Sequence, residues 1–449
     1  MGPGLEGAEL LRVCLDRLEW PPERLAREVN RIAGQQAITQ KAPYGWLKGS
    51  TPRGRLPQFV ALALSRALGE TISPAALFPD ARGGAVAVAA HHGLDLPWTS
   101  EGALCCAALL SAPTGNALLA ASGPMLVACA VDWLTVPNPE APTRLSGTPL
   151  DPEFVYLLAE RIIQLRRLDD TQSSPLVLDL VVHDLHLAAG LATSSSYDRQ
   201  TGTALFGVLA ELAQLAGWVS IDLDKKAQGQ RFLLAALHFA HASGDRDFAA
   251  NILSCLGYQT LWTGDGASAV RLIRLARQGT LHTAHPLVAA LLASREGRAH
   301  AIQGELAACA RALDEATASF TALDPHTAPT PIWAYWINEG VLAADAGRAW
   351  LEANDPGRST KLLSRGLELL GSDQPRNRLL HGISLAHAHL RVGNLDDAVM
   401  AGEAALDVAR IHGSIRVRSR LDQLRGELTA QPSSDAHRLA DHIADLVGA

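Results

Sequence analysis

Aromatic side chains make up only 5% of this 449-residue chain, and methionine occurs three times. So few rings beside so much Ala and Leu argues against a sheet core and for helices packed closely together. Six cysteines (Cys14, Cys105, Cys106, Cys129, Cys255, Cys309) include no C-x-x-C and follow no metal-type spacing. They read as free thiols at small apolar positions in a reducing compartment. The chain also lacks H-E-x-x-H, a P-loop, G-x-S-x-G and any clustered carboxylate pair, so no catalytic activity is expected. His183/His186 and His238/His241 stand at i and i+3 without a third ligand at motif spacing, so neither a metal nor another cofactor is expected. MGPGLEGAEL is not a basic start followed by an apolar run, which speaks against an export signal. No charge occurs from Gly102 to Val131, but Pro113, Gly115, Gly123 and Pro124 cut that stretch into pieces shorter than the roughly 20 residues a spanning helix needs. The expectation is a cytoplasmic protein with no membrane partner.

What is present is punctuation. Five motifs mark the last 210 residues: GDRDFA from Gly244, GDGASA from Gly264, GELAAC from Gly304, NDPGRS from Asn354 and GNLDDA from Gly393. In a helical hairpin the first residue of such a motif ends one helix at positive φ. The polar residue caps the next helix, and the small residue five positions on lets the two backbones approach. From Gly264 the motifs recur at intervals of 40, 50 and 39 residues, which fits degenerate helix pairs of a solenoid. Gly244 and Gly264 are only 20 apart, so one turn lies within a hairpin and the other between hairpins.

With 48% apolar residues, a chain of this length should fold as two or three domains. Residues 1–80 predict a small bundle with helices over 9–18 and 22–33, a third from about Phe59 to Leu68, and a short one ending near Phe78. Residues 81–150, rich in Ala, Gly and Pro, predict a linker with short helices, and Leu94–Trp98 offers a hydrophobic anchor. From Asp151 to residue 449 about a dozen helices are expected, the clearest over 151–168, 175–191, 203–220, 229–242, 246–262, 267–278, 286–303, 305–320, 331–353, 358–370, 376–391, 395–411 and 414–430, with Asn394 capping the helix from 395. The fold class is all-α: a small N-terminal helix-turn-helix bundle followed by an α-solenoid like that of tetratricopeptide (TPR) repeats.

The string LAREVN…TQKAPYGWLKGSTPR…ALALSRALG…ISPAALF resembles the lambda-repressor-like, XRE-type helix-turn-helix pattern through Leu25-Ala26, Trp46, Gly49, Pro52 and Leu64 to Leu68-Gly69. Downstream, LAELAQLAGWVSID, IWAYWINEGVLAADAGRAWLE and RVGNLDDAVMAGEAAL resemble the TPR-like half of a family of actinobacterial transcriptional regulators. The resemblance implies double-stranded DNA as a partner, a homodimer, and a peptide or small-molecule ligand in the repeat groove. The turn from Asn30 to Thr39 is longer than the usual one, and Pro43 places the start of the recognition helix, which then runs little beyond Tyr44–Lys48.

The chain is acidic overall, at −7, yet across residues 24–55 Arg24, Arg27, Arg31, Lys41, Lys48, Arg53 and Arg55 face Glu28 alone. Such clustering suits phosphate attraction. On the helix-turn-helix model Gln40, Lys41 and Tyr44 approach base edges while Lys48, Arg53 and Arg55 hold the backbone, and Trp46 belongs to the core. The alternative is a solvated basic face on a bundle that binds a protein, which would make the chain a TPR adaptor acting without DNA. In the repeats, Asn251 and Asn338 are expected mid-helix, where asparagine has poor propensity and a carboxamide could hold a ligand. Tyr258, Trp262, Tyr335 and Trp336 could supply apolar contact there. The alternative for all of these is hydrogen bonding and packing between helices.

Overall fold

In the computed structural model all five turn residues take positive φ: Gly244 at 80°, Gly264 at 82°, Gly304 at 74°, Asn354 at 60° and Gly393 at 81°. Asparagine pays less for this conformation than other side-chain-bearing residues, which lets Asn354 stand where the other turns use glycine. Asp245, Asp265 and Asp355 then accept from the backbone N–H of Phe248, Ser268 and Arg358. The small residues five positions on, Ala249, Ala269, Cys309, Ser359 and Ala398, are all fully buried. Positive φ and a buried small residue therefore coincide at all five motifs, and a side-chain cap joins them at the three whose cap residue is aspartate, since neither Glu305 nor Asn394 makes a cap bond.

The structure describes residues 3–33, 38–52, 56–68, 72, 77–78, 96–111, 120–171, 174–324, 329–372, 374–410 and 415–448. They are almost entirely helical and form two compact units, Met1–Leu96 with Ala112–Met125, and Pro97–Ser111 with Leu126–Ala449.

The first unit contains α1 (Pro3–Arg17), α2 (Pro22–Ala33), α3 (Ala42–Trp46) and α4 (Leu56–Leu68). Leu11, Leu25, Val29, Trp46, Leu64 and Phe78 meet in its core, and Trp46 lies edge-on to Phe78 with ring centroids 6.0 Å apart. Pro43 sits in the first turn of α3, where its missing N–H costs no helical hydrogen bond.

The second unit opens with α5 (Ser100–Ser111) and continues from within α6 (Gly123–Thr135) through α7 (Pro152–Thr171) and α8 (Pro175–Ser194). Then come α9 (Arg199–Asp222), α10 (Lys226–Ser243), α11 (Arg246–Trp262) and α12 (Gly266–Gly279). After α13 (Pro286–Ile302) and α14 (Leu306–Thr321) follow α15 (Glu339–Glu352), α16 (Pro356–Leu369), α17 (Pro375–Val392) and α18 (Leu395–Ala409). The last pair is α19 (Ile415–Thr429) and α20 (Ser434–Gly448). From α9 onward consecutive helices pair as hairpins, and each hairpin packs on the next. Gly264 turns within a hairpin and Gly244 between two. A two-residue parallel ladder, β1 (Thr148–Pro149) against β2 (Ser195–Ser196), is the sheet among the described residues. Both α8 and α9 are long and apolar enough to cross a membrane by composition, and both pack within this unit.

Several expectations are corrected. The helix expected over 331–353 is split: a 3-10 turn at Ile332–Ala334 precedes α15, and Asn338 stands at the N-cap with its Oδ1 accepting from Val341 N at 2.9 Å. The Pro331 just before it and the preference of asparagine for caps account for the break. Asn394 occupies an N-cap position but makes no side-chain cap bond. The helix α20 lies beyond the last one expected. Residues 97–111 and 126–150, within the stretch expected as a linker, group with the repeat unit, an arrangement that leaves the expected domain bounds neither confirmed nor overturned. There Trp98 stacks on His238 at 4.1 Å and meets His241 edge-on at 5.2 Å, while Arg246 lies 4.1 Å from the ring centre of Trp133. Leu94 and the other expectations within 79–95 lie outside the described residues.

Close backbone approach within the α15–α16 hairpin depends on missing side chains. A Cβ on Gly347 would fall 2.7 Å from Leu363 N, and one on Gly366 would fall 2.7 Å from Ala344 N. We therefore expect Gly347→Val to destabilise the protein by roughly 1–3 kcal/mol, because the added methyls force two helices apart. Thermal unfolding of the purified variant checks this, and an unchanged melting temperature would show that the hairpin has slack.

Candidate functional site

The first helices of successive hairpins turn one face toward a common cavity. Its wall takes Arg166 and Asp169 from α7, Gln214 and Trp218 from α9, Asn251 and Tyr258 from α11, Arg295 and Arg298 from α13, Asp345 and Arg348 from α15, and Arg376 and His381 from α17. Trp333, Tyr335 and Trp336, from the chain ahead of α15, complete it. Among the site residues expected from the sequence, Asn251, Tyr258 and Trp336 line this cavity. Asn338 does not: its Oδ1 caps α15 and its Nδ2 donates to Gln374 Oε1 at 3.2 Å. Trp262 is not in the wall either; it packs against Tyr258 with centroids 5.8 Å apart.

The wall is closed by ion pairs between distant helices. Arg376 at the start of α17 donates to Asp169 of α7 at 3.0 Å and also pairs with Asp222 at the end of α9. Beside it, the Tyr335 hydroxyl donates to Asp170. Burial raises the Asp170 carboxyl and its neighbour Asp169 raises it further, with the Tyr335 hydrogen bond opposing both. On α13 the Arg298 fork donates to both oxygens of Glu352, at 2.8 and 2.7 Å. Burial opposes the Arg298 charge, but the Glu352 carboxylate outweighs it and holds the guanidinium above the usual arginine range. Arg166 donates to Gln214 and Glu211, each at 3.2 Å, and Arg348 donates to the Tyr258 hydroxyl at 3.2 Å.

Three buried polar atoms of wall residues have no hydrogen-bond partner among the described residues, Arg166 Nε, Asn251 Oδ1 and Arg298 Nη1. Buried polar groups are nearly always paired, so these are places where an added molecule would gain most. The aromatic side of the cavity is continuous, with Trp218 and Tyr258 5.6 Å apart and the guanidinium of Arg298 4.8 Å from the Tyr258 ring centre. The arrangement can bind a planar group with polar substituents. Sequence reading missed the arginines, although Arg295 and Arg298, one turn apart in an otherwise Ala- and Leu-rich helix, carried the signal.

In the first unit, Gln40, Lys41, Tyr44 and Lys48 are exposed around α3. Among the described residues no ion pair engages Lys41 or Lys48. The Tyr44 hydroxyl donates to Glu23 at 2.5 Å, a bond that lowers the Glu23 carboxyl and raises the phenol. Arg31 pairs with Glu28 at 2.6 Å, and Arg24 lies 4.9 Å from the ring centre of Trp20. Arg53 and Arg55 lie outside the described residues. Sequence reading also missed the Asn30 side chain, which brackets Ile38 by donating to its carbonyl and accepting from its N–H, both at 2.9 Å. That pair of bonds fixes where the chain enters the α3 turn.

Fold and cavity together define an α-solenoid of helical hairpins with a polar and aromatic inner site, carried on the same chain as a small helical bundle. Residues 11–78 match the family model described as SP15 N-terminal domain. A comparison with curated protein sequences returned no match. Among solved structures, the crystal structure of BtubC (BKLC) from P. vanneervenii is similar with a TM-score of 0.37 at 16% sequence identity, over 53% of this chain and 91% of that one.

The Arg298–Glu352 pair makes the stability of the repeat unit depend on pH. Burial raises the Glu352 carboxyl, but Arg298 and Arg348 outweigh it and hold it below the ordinary 4.5. A carboxylate depressed in the folded state stabilises above its unfolded pKa and loses that contribution as pH falls through the folded value. Glu352→Gln should therefore lower the melting temperature at pH 7, and the gap to wild type should narrow below about pH 4.5. A gap of constant size from pH 7 to pH 3 would contradict this assignment.

Proposed function

We propose that this chain is a cytoplasmic DNA-binding regulator that acts as a homodimer, with the N-terminal bundle contacting double-stranded DNA and the repeat cavity binding a peptide or small-molecule ligand. The observation that carries the DNA-binding half is the surface around α3. Trp46 and Pro43 anchor the helix from beneath, while Gln40, Lys41 and Lys48 stand outward, as residues that meet a phosphate backbone and base edges do. The position of the bundle ahead of a helical-repeat unit supports the same reading through its resemblance to XRE-type regulators with TPR-like domains. In this scheme Lys48 positions the backbone, Gln40 and Lys41 reach the groove, and the cavity senses the signal. A ligand alters DNA affinity only to the extent that it favours one arrangement of the protein over another.

A second reading, an adaptor that works through proteins without touching DNA, is favoured by one contact. The Tyr44 hydroxyl is committed to Glu23, and α3 has only five residues, which limits the surface left for reading bases. A mobility-shift titration over salt concentration separates the two. DNA binding predicts a steep fall of log affinity with log salt, and Lys41→Ala and Lys48→Ala should each reduce the slope by about one unit. An absent shift with genomic fragments, or one insensitive to salt, would favour the adaptor.

A further inference from the structure

Four of the five arginines in the cavity wall are matched by carboxylates. Arg166 pairs with Glu211, Arg298 and Arg348 share Glu352, and Arg376 takes Asp169 and Asp222. Arg295 is different. Its Nη1 donates to Ser254 Oγ at 2.7 Å and to Cys255 Sγ at 3.5 Å, and no carboxylate among the described residues pairs with it. Its guanidinium lies 5.9 Å from the Trp218 ring centre and 5.7 Å from that of Tyr258. The lining carboxylates are themselves engaged: Asp169 by Arg376, Asp170 by Tyr335, and Asp345 by His381 at 3.8 Å. A half-buried guanidinium whose polar partners among the described residues are a hydroxyl and a thiol has no carboxylate against it, which leaves it suited to bind an anion.

We propose that the cavity takes an aromatic carboxylate, with Arg295 holding the carboxylate, Trp218 and Tyr258 packing on the ring, and Asn251 accepting a hydrogen bond from an N–H or O–H of the same ligand. The placement of Asn251 is the second, independent observation. It is 4% exposed, lines the cavity and leaves its Oδ1 without a partner among the described residues. It also stands one and two turns before Cys255 and Tyr258 on the inner face of α11. A cationic fork and an empty acceptor flanking aromatic walls select a molecule that is anionic at one edge, planar in the middle and a donor elsewhere. A free small acid or the C-terminal aromatic residue of a peptide both present that chemistry. This inference rests on the cavity being the ligand site.

Calorimetric titration of the full chain with indole-3-acetate and with the free acid of Gly-Gly-Trp, each beside its neutral amide, tests it. The acids should bind roughly tenfold or more tighter than the amides. Arg295→Gln should erase that preference, while Arg295→Lys, which keeps the charge, retains part of it. The acid that binds more tightly assigns the source, small molecule or peptide terminus. Equal binding of acid and amide, or an acid preference unchanged in Arg295→Gln, overturns the anion assignment but leaves the cavity as a ligand site. Failure of both acids and amides to bind at millimolar concentration overturns both.

Discussion

The Arg376 guanidinium holds together parts of the repeat unit that the chain order keeps far apart. Asp169, one of its two partners, is 207 residues away in sequence, and both acids are buried. A hairpin array is otherwise stabilised by each pair packing on the next, and nothing in nearest-neighbour packing requires α17 to return to α7. The ion triad supplies that requirement. A buried ionic group has a desolvation cost that can offset its Coulombic gain, so its larger contribution is to specify one arrangement. Here the arrangement specified is the one that gives the cavity a wall on both sides, with Tyr335 and Asp170 adding a second tie at the same place.

That closure sets the chemistry of the interior. Each arginine brought to the wall needs a carboxylate or a comparable acceptor, and the fold delivers one to Arg166, Arg298, Arg348 and Arg376 from the wall or from just behind it. Arg295 receives Ser254 and Cys255 instead, neighbours that accept hydrogen bonds without cancelling charge. The indole of Trp218 and the phenol of Tyr258 narrow the space beside it. Rigid packing holds these groups in place, because the helices that carry them are joined by short turns with fixed geometry.

Turn chemistry is local, which explains why it was legible. A glycine or asparagine at positive φ, a cap and a small residue all lie within six positions of one another, and the five motifs located the turns they were read to mark. The short α3 followed in the same way from Pro43, whereas the core role of Trp46 followed from the resemblance to the helix-turn-helix pattern. Where a local signal had two outlets, the reading failed. The pattern around Asn338 predicts a mid-helix position although its Oδ1 serves the cap of α15, and the position of Asn394 predicts a cap bond that it does not make. The cavity was half legible: Asn251, Tyr258 and Trp336 stand out as unusual residues within helices, whereas the pairing of Arg376 with Asp169 is a long-range contact with no sequence periodicity behind it. Arg295 could be singled out only after the carboxylates of the other arginines had been located in space.

The central claim is that the Arg376 triad closes the repeat unit around its cavity. Hydrogen–deuterium exchange of wild type and Arg376→Met, compared helix by helix, tests it most directly. The account predicts faster exchange in both α7 and α17 of the variant, with α19 and α20 unchanged. Protection in α7 equal to that of wild type would contradict it, because α7 would then be held in place by its neighbours in sequence alone.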